Sequence, residues 1–347
     1  MPTSIHGTNG ITFNDGSTQN TRPAVGFRNR IINGEMRIDQ RNAGASSVPA
    51  TDSYTYTSLD RYFTSVNTPA TSTASRSTSA PATFLYSLKM GRSGSGTAGL
   101  NTLGQVIETD NSKDLAGSSV ILSFWAKIGA SATFSSLTAH VYSGTTTDQS
   151  ASSLRGGWTG QATVASTTVT LTTTWTKFSI TGTVGSSALQ LAAQFVFTTV
   201  GAAGADDNVY ITGVQLEVGS TATDFERRPI GTELALCQRY YQKTYDLGTA
   251  PGTATTVGAI NYIATSSFQD LNDRLMVEMR AVPSTVSIIT PTGVTGSVRN
   301  YTNSTNYAAT INGGAGSTSS KQTMFRTTVP ATSANELTYH ITADAEL

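Results

Sequence analysis

Cysteine, charge and long apolar runs are scarce in this 347-residue chain, and each scarcity excludes a class of protein. Cys237 is the single cysteine, so neither an intrachain disulfide framework nor a cysteine-based zinc site can form. Charged residues make up 13% of the chain and the 22 basic and 22 acidic side chains cancel, which leaves no electrostatic footprint for nucleic acid or for an anionic membrane. No stretch approaches the roughly 18 apolar residues of a membrane span. The N-terminus lacks a basic segment followed by an apolar core, so we expect no secretory signal and synthesis in a cytoplasm.

Small hydroxyl residues and glycine are abundant instead. Ser and Thr make up more than a quarter of the chain, and there are 32 Gly. Thr favours strands, whereas Ser and Gly favour turns and loops. The 13 Tyr, 12 Phe and 3 Trp argue against disorder, because they supply the apolar surface that a core needs. The composition predicts β-rich domains that present many hydroxyls at their surface.

Alternating apolar residues indicate a series of strands in the middle of the chain. The clearest is 118–129, SSVILSFWAKIG, in which Val120, Leu122 and Phe124 face one way. Further strands are predicted at 83–90, 103–109, 137–144, 167–184, 188–199 and 207–219. Short strands separated by polar turns are typical of an antiparallel sandwich, which we place over residues 28–228.

The segments on either side of the sandwich have patterns of their own. Residues 1–27 form a polar leader with a turn at Asn-Asp-Gly between two short β-prone pieces. Residues 229–244 follow a helical spacing after Pro229, and we predict a short helix that links two domains. Residues 245–347 return to Gly/Thr-rich strands, which predict a smaller C-terminal β domain. The predicted fold class is therefore all-β with one linking helix.

The histidines and the neighbouring acids form no catalytic motif. The three histidines, at positions 6, 140 and 340, fall in three different segments, and no phosphate-binding, zinc-protease or nucleophile-elbow motif occurs. Adjacent acids occur at Asp206/Asp207, Asp224/Glu226 and Glu108/Asp110. We interpret them as turn residues or surface ion pairs. A glycosidase pair stays open, since its two carboxylates need not be close in sequence.

Aromatic side chains carry the better functional signal, because their flat apolar faces can stack on sugar rings. Trp158 lies in the Gly-rich loop RGGWTGQ, where it is either exposed to a ligand or packed beneath the loop. Trp125 lies on the opposite face of its strand from Phe124, either in a partner surface or in a secondary apolar cluster. Together with Tyr142 and Arg155, these residues make up the predicted ligand-binding site.

Six segments, in this order, resemble sequences of tailed-bacteriophage tail fibre and receptor-binding proteins. They are NRIINGEMRIDQRNAG, SLDRYFTS, VILSFWAKIG, TTTWTKFSITGTV, VYITGVQLEVGSTATDFERRPIGTELALCQRYYQ and MRAVPSTVSI. The leader GTNGITFNDGSTQ is also similar to phage fibre sequence, and the resemblance extends over roughly residues 5–290. The central part of such proteins is similar to the jelly-roll sandwich of carbohydrate-binding modules. The resemblance therefore implies an antiparallel jelly roll for residues 28–228.

The resemblance implies binding rather than catalysis. We expect a non-enzymatic homotrimer whose leader docks to other tail proteins of the virion and whose C-terminal domain forms the distal tip. It would assemble in the cytoplasm of the bacterial host and bind a host surface polysaccharide from outside the cell. Around a three-fold axis, Leu234, Cys237 and Tyr241 are the expected seam between chains. No cofactor is expected, although Asp and carbonyl ligands for a structural Ca²⁺ stay open.

Two alternatives to this function remain. One is a structural virion protein that connects other tail components without binding a receptor. The other is a depolymerase that cuts the glycan, which would release shorter chains and new reducing ends.

Overall fold

The computed structural model describes three short strands within residues 4–19 and then residues 27–47, 49–264, 267–311, 318–329 and 335–347. These residues form an almost wholly antiparallel β-structure with few helical turns, which confirms the predicted fold class. The leader strands β1 Ser4–His6, β2 Gly10–Thr12 and β3 Thr18–Gln19 make a three-stranded antiparallel sheet. The Asn-Asp-Gly turn predicted between the last two lies outside the described residues.

The central part of the chain is a sandwich of two sheets. Its strands are β4 Ala50–Thr51, β5 Phe63–Val66, β6 Thr73–Ser77, β7 Ser87–Arg92, β8 Leu100–Ile107, β9 Ser119–Ile128, β10 Ser136–Gly144, β11 Ala162–Thr170, β12 Thr176–Thr183, β13 Gln190–Thr198 and β14 Asp207–Val218. The six-stranded sheet has the order β11-β10-β13-β8-β5-β4, and the five-stranded sheet has the order β12-β9-β14-β7-β6. Neighbours are antiparallel except β4 and β5. Strands far apart in sequence, such as β8 and β13, lie side by side, as the crossovers of a jelly roll require.

The core lies between the two sheets and is filled by alternate residues of each strand. The alternation predicted for 118–129 is confirmed, because Val120, Leu122 and Phe124 are buried there. Phe124 meets Phe195 of the opposite sheet with ring centroids 4.8 Å apart. Burying one such side chain contributes about 1.5–3 kcal/mol. The residues that alternate with these core residues along each strand point away from the core, so each sheet also has an outer face.

The helices are short. They are α1 Ala151–Gly156, α2 Ile230–Gln238 and two single-turn 3₁₀ helices, Thr109–Asn111 and Lys113–Leu115. The side chain of Ser150 caps α1 by accepting a hydrogen bond from the backbone N–H of Ser153. The predicted helix over 229–244 is too long, because α2 ends at Gln238 and the chain then enters a strand.

The C-terminal domain is a sheet organised around its last strand. Its strands are β15 Tyr241–Lys243, β16 Ile260–Ala264, β17 Phe268–Arg274, β18 Thr285–Ile289, β19 Ser297–Asn300, β20 Thr305–Ile311, β21 Gln322–Thr328 and β22 Asn335–Asp344. The long strand β22 pairs with β15, β16, β18 and β19 along its length. The core of the C-terminal domain contains Leu271, Phe325 and Leu337.

The two domains meet on the outer face of the six-stranded sheet. Arg41 lies 2.7 Å from Asp344 at the end of β22, and Arg61 pairs with Glu346. The guanidinium of Arg61 also stacks on the ring of Tyr240, 3.5 Å from its centroid. Helix α2 and the residues after β22 therefore cover one part of this sheet.

The predicted inter-chain seam is wrong for Cys237 and Tyr241, and it stays a prediction for the partly buried Leu234. Cys237 is fully buried and Tyr241 is 7% exposed within a single chain. Leu234 and Cys237 pack in the same apolar cluster as Phe63 of the six-stranded sheet. Their helical spacing reflects packing onto the chain's own sandwich. The homotrimer stays a prediction, and this packing does not support it.

Candidate functional site

Trp158 is an internal packing residue. Only 3% of its surface is exposed, and its Nε1 donates a hydrogen bond of 2.9 Å to the carbonyl of Ser150. The ring packs with Leu154 of α1 and lies against the bare Cα of Gly144. Of the two alternatives for this residue, packing beneath its loop is the observed one, so Trp158 offers no free face to a ligand. The prediction that it forms an exposed platform is wrong, because α1 folds back over it.

Trp125 lies on the other side of the sandwich. It is half-buried on the outer face of the five-stranded sheet, where a Cβ at Gly213 would come within 3.0 Å of its ring. Phe84 lies beside the same glycine. The sheets separate Trp125 from Tyr142 and Arg155, so the predicted site residues do not form one group.

Tyr142 on β10 and Arg155 at the end of α1 lie on the same side of the six-stranded sheet, with residues that were not assigned to the site from the sequence. His140 and Tyr142 alternate on β10, and their rings stack with centroids 5.1 Å apart and planes 16° apart. Gln194 on β13 is directly opposite His140 in the strand register. Both rings are half-buried, so part of each is open to solvent.

Tyr54 lies over the adjoining part of this face. Its ring stacks on Phe63 with centroids 4.8 Å apart and planes 6° apart, and its hydroxyl accepts a hydrogen bond of 3.0 Å from Nε2 of Gln194. Phe63 in turn lies over Gly104, where a Cβ would be 2.6 Å from the ring. The missing side chain at position 104 lets the two rings lie flat on the sheet. We call Tyr54, His140, Tyr142 and Gln194 the aromatic shelf.

An ion pair borders the aromatic shelf. Nη2 of Arg155, at the end of α1, lies 2.6 Å from Oδ1 of Asp52, two residues before Tyr54. A hydrogen bond from Thr68 lowers the pKa of Asp52, which keeps this carboxylate charged. The side chains of Arg155 and Asp52 are 41% and 40% exposed, so the pair adds little stability and can exchange contacts with a ligand.

The aromatic shelf itself is uncharged at neutral pH. Burial lowers the pKa of His140, and its Nδ1 has no hydrogen-bond partner among the described residues. Burial, and then the nearby Tyr54, raises the pKa of Tyr142. The surface thus offers the half-buried faces of aromatic rings, which can stack on a neutral polar ligand, while the unpaired Nδ1 of His140 is itself buried.

The adjacent acids of the sequence have structural partners. Glu108 pairs with Arg239 at 2.6 Å, and Glu226 accepts hydrogen bonds from the backbone at residues 28 and 29. Glu108 has the ion-pair partner that was predicted, but it is itself buried, so this pair is not at the surface. Asp207 pairs with Arg92 at 2.6 Å as well, although this pair is buried rather than at the surface.

Among the described residues, no three His, Cys, Asp or Glu side chains lie close enough to share a metal ion. No helix in those residues has the length and apolar character needed to cross a membrane.

A cavity of about 240 Å³ lies where the sandwich meets α2. Three arginines line it, and each is already engaged with an acid of the same chain. The ion pairs are Arg30–Asp114, Arg61–Glu346 and Arg228–Glu233. Each of these arginines is held by an ion pair within the chain, and we assign the cavity no ligand.

Comparison with known proteins gives similarities at the level of solved structures. No protein-family model matches the chain, and no curated protein matches it. Similar structures include carbohydrate-binding modules from the β-sandwich superfamily, with 15% identity, 46% of this chain and 57% of that chain covered and a TM-score of 0.33. The enzymatically active domain of tailspike protein 4 of bacteriophage CBA120 has 14% identity, with 55% of this chain and 22% of that chain covered and a TM-score of 0.33. The C-terminal family 22 carbohydrate-binding module of Clostridium thermocellum Xyn10B has 17% identity, with 50% and 100% covered and a TM-score of 0.32.

These similarities are distant and partial. The chain spans just over half the length of the first structure and less than a quarter of the tailspike domain. The description of the sandwich rests on the two sheets of this chain itself.

Proposed function

We propose that this chain is a glycan-binding component of a bacteriophage tail fibre, and that the aromatic shelf contacts a host surface polysaccharide. The observation that carries the proposal is the convergence of Tyr54, His140 and Tyr142 on one outer face, beside the amide of Gln194. The assignment to a phage tail is supported by the sequence segments that resemble tail fibre proteins. In this proposal the chain is a homotrimer that acts outside the host cell as part of the virion.

A shallow surface of this kind suits weak, repeated binding. One sugar on the aromatic shelf needs only a dissociation constant near millimolar, about −4 kcal/mol. Three copies in one fibre, and several fibres on one particle, would raise the effective affinity by about 10²–10⁴ without a deeper pocket.

We also propose that the chain binds its glycan without cutting it. Glycosidases use two carboxylates, of which one is a protonated acid. The border of the aromatic shelf contributes Asp52, and the hydrogen bond from Thr68 lowers the pKa of this group. A carboxyl that stays charged fits an ion-pair partner better than a general acid.

The test is binding of the purified full chain to a panel of bacterial surface polysaccharides, measured by titration calorimetry. We expect at least one neutral glycan to bind, and Tyr142→Ala to weaken it about tenfold, as loss of an aromatic contact does at a binding surface. Tyr301→Ala is the matched control, because Tyr301 is a 41% exposed tyrosine in the C-terminal domain.

Three results would contradict the proposal. Full affinity in Tyr142→Ala would remove the aromatic shelf as the site. Shortened polysaccharide with new reducing ends would make the chain a depolymerase. Failure of the folded, assembled chain to bind any glycan would favour a structural role between other tail proteins.

A further inference from the structure

A row of side chains crosses the outer face of the five-stranded sheet. Lys89 of β7 is directly opposite Tyr210 of β14, and Tyr210 is directly opposite Lys127 of β9. Trp175 directly precedes β12 and lies beside Lys127. The distance from Nζ of Lys127 to the centroid of the Trp175 ring is 5.7 Å. We call Trp175, Lys127, Tyr210 and Lys89 the lysine row.

The aromatic rings of the lysine row hold the two ammonium groups at the surface. Nζ of Lys127 lies 4.9 Å from the ring centroid of Tyr210, and Nζ of Lys89 lies 5.8 Å from it on the other side. The Tyr210 hydroxyl donates a hydrogen bond of 2.8 Å to Asp206, which fixes the ring between the two lysines. Each cation is thereby oriented by a ring face rather than left free in solvent.

The positive charge of the lysine row is only partly balanced. Asp206 reaches Lys89 at 4.0 Å, and its carboxylate also accepts hydrogen bonds from Tyr210 and Asn208. For Lys127, the part of the chain that the structure describes contains no carboxylate within 4 Å of the ammonium. Two lysines on the strands that flank β14 are uncommon in a chain of which only 13% of the residues are charged.

A role in preventing aggregation does not explain these lysines. Lysines that block strand addition lie on edge strands, where the backbone is unpaired. Lys89 and Lys127 lie on β7 and β9, which are inner strands on either side of the central strand β14. Their location points to a ligand above the middle of the sheet.

We propose that the lysine row binds an acidic polysaccharide. Carboxylates of the polymer would pair with Lys127 and Lys89, which lie on either side of one strand and so about 10 Å apart. An extended polysaccharide presents like groups on one side at every second sugar, a spacing of the same order. The half-buried ring of Trp175 would receive the face of a sugar at one end of the row. This site is separate from the aromatic shelf and does not depend on its function.

The first experiment compares polygalacturonate with its carboxyl-reduced form, which keeps the sugar chain and loses the charge. At low ionic strength we expect the wild-type chain to bind polygalacturonate and the double variant Lys89→Gln/Lys127→Gln to bind about tenfold more weakly, because two exposed ion pairs are lost. Lys113→Gln/Lys321→Gln is the matched control, since it removes the same number of positive charges from exposed positions outside the row. The carboxyl-reduced polymer should not distinguish wild type from either variant.

Further variants separate recognition from general charge and from folding. Lys127→Arg should keep most of the affinity because the charge remains, and Trp175→Ala should lower the affinity while circular dichroism stays that of the wild type. Tyr142→Ala should leave polygalacturonate binding unchanged, which keeps this site distinguishable from the aromatic shelf. Equal loss in the Lys113/Lys321 control, or binding of the carboxyl-reduced polymer at the row, would overturn the proposal. Equally tight binding of single-stranded DNA at the same lysines would replace a sugar site by a general polyanion site and would also overturn it.

Discussion

The two outer faces of the sandwich use similar side chains in different ways. On the six-stranded sheet, α1, α2 and the residues after β22 cover much of the face and leave the neutral aromatic shelf. On the five-stranded sheet, the lysine row lies on inner strands with its charges directed outwards. Covering a face gives a recessed neutral surface that suits hydrogen bonds and stacking. On the five-stranded sheet the outward residues Tyr210 and Thr212 of β14 are buried as well, but the two lysines stay partly exposed, which suits longer-range attraction of anions.

The tryptophans illustrate the difference most directly. Trp158 is covered by α1 and forms part of the support for Tyr142, whereas Trp175 is half-buried beside Lys127. The same residue type is therefore structural beneath one face and a candidate ligand contact on the other. Exposure, rather than residue type, separates the two roles.

The largest expected effect is a difference in the free energy of unfolding between variants of Trp158 and Trp175. Trp158→Ala should lower the free energy of unfolding by about 3–5 kcal/mol, because it empties a buried site. Trp175→Ala should lower it by no more than about 1 kcal/mol, as for a partly exposed residue. Urea unfolding followed by circular dichroism measures both. Similar losses in the two variants would mean that the faces do not differ in their packing as described.

A pH dependence should distinguish the domain joint from the lysine row. Burial raises the pKa of Asp60, beneath the domain joint on the six-stranded sheet, from its ordinary value to about 6. The folded chain then holds a proton that the unfolded chain releases, so this group's contribution to stability falls as pH rises from about 4 to about 6. Over that window the loss is roughly 3 kcal/mol, from about two pKa units.

The measurement is urea unfolding of wild type and Asp60→Asn at several pH values between about 4 and 6. The variant should lack this part of the pH slope, so the difference in unfolding free energy should shift steadily in its favour as pH rises. Lys89→Gln in the lysine row should keep the wild-type slope. Parallel curves for wild type and Asp60→Asn would show that Asp60 does not titrate in this window.

Ionic strength should separate the two proposed ligands. Raising the salt from about 20 mM to about 300 mM should weaken acidic polysaccharide binding several-fold, because exposed charges are screened. Binding of a neutral glycan at the aromatic shelf should change less than about twofold over the same range, since no net charge is paired there. Calorimetric titrations at the two salt concentrations provide the comparison. Equal salt sensitivity at both faces would remove the electrostatic distinction between them.

The smallest expected effect concerns the ion pair at the border of the aromatic shelf. Arg155→Lys should change the free energy of unfolding by less than about 0.5 kcal/mol, because the pair with Asp52 is exposed. It should lower neutral-glycan affinity about threefold, since lysine cannot make the bidentate hydrogen bonds of the planar guanidinium. Lys113→Arg serves as the control for a charge-conserving change elsewhere. An Arg155→Lys variant with unaltered affinity would place this ion pair outside the binding surface.

Much of the fold could be predicted from local pattern. The alternation of 118–129 predicted β9 with its inward and outward residues, and the strands at 137–144, 188–199 and 207–219 are confirmed by β10, β13 and β14. Helix α2 was predicted with the wrong end, because Tyr241 pairs with Asp344 in a strand rather than continuing the helix. That pairing joins residues that are far apart in the chain, and no local spacing of residues predicts it.

The candidate site was predicted only in part. Tyr142 and Arg155 lie on the same side of the sandwich, but the stacking of Tyr54 on Phe63 and the glycine beneath Phe63 come from three separate strands and loops. The histidine at position 140 was noted in the sequence, yet only the register of β10 and β13 places it beside Gln194. A small residue opposite an aromatic on a neighbouring strand is the one signal that could have indicated the shelf, and it requires the strand order to be known.

The sequence by itself determined that the chain is all-β, where most sandwich strands run, and which residues of β9 face the core. It could do so because a strand repeats every two residues, so that local alternation of apolar and polar side chains sets the inward face. The tertiary structure decided what covers each outer face. That choice depends on contacts such as Arg41 with Asp344, 303 residues apart, and it makes Trp158 a buried support while Tyr142 and Lys127 remain at the surface.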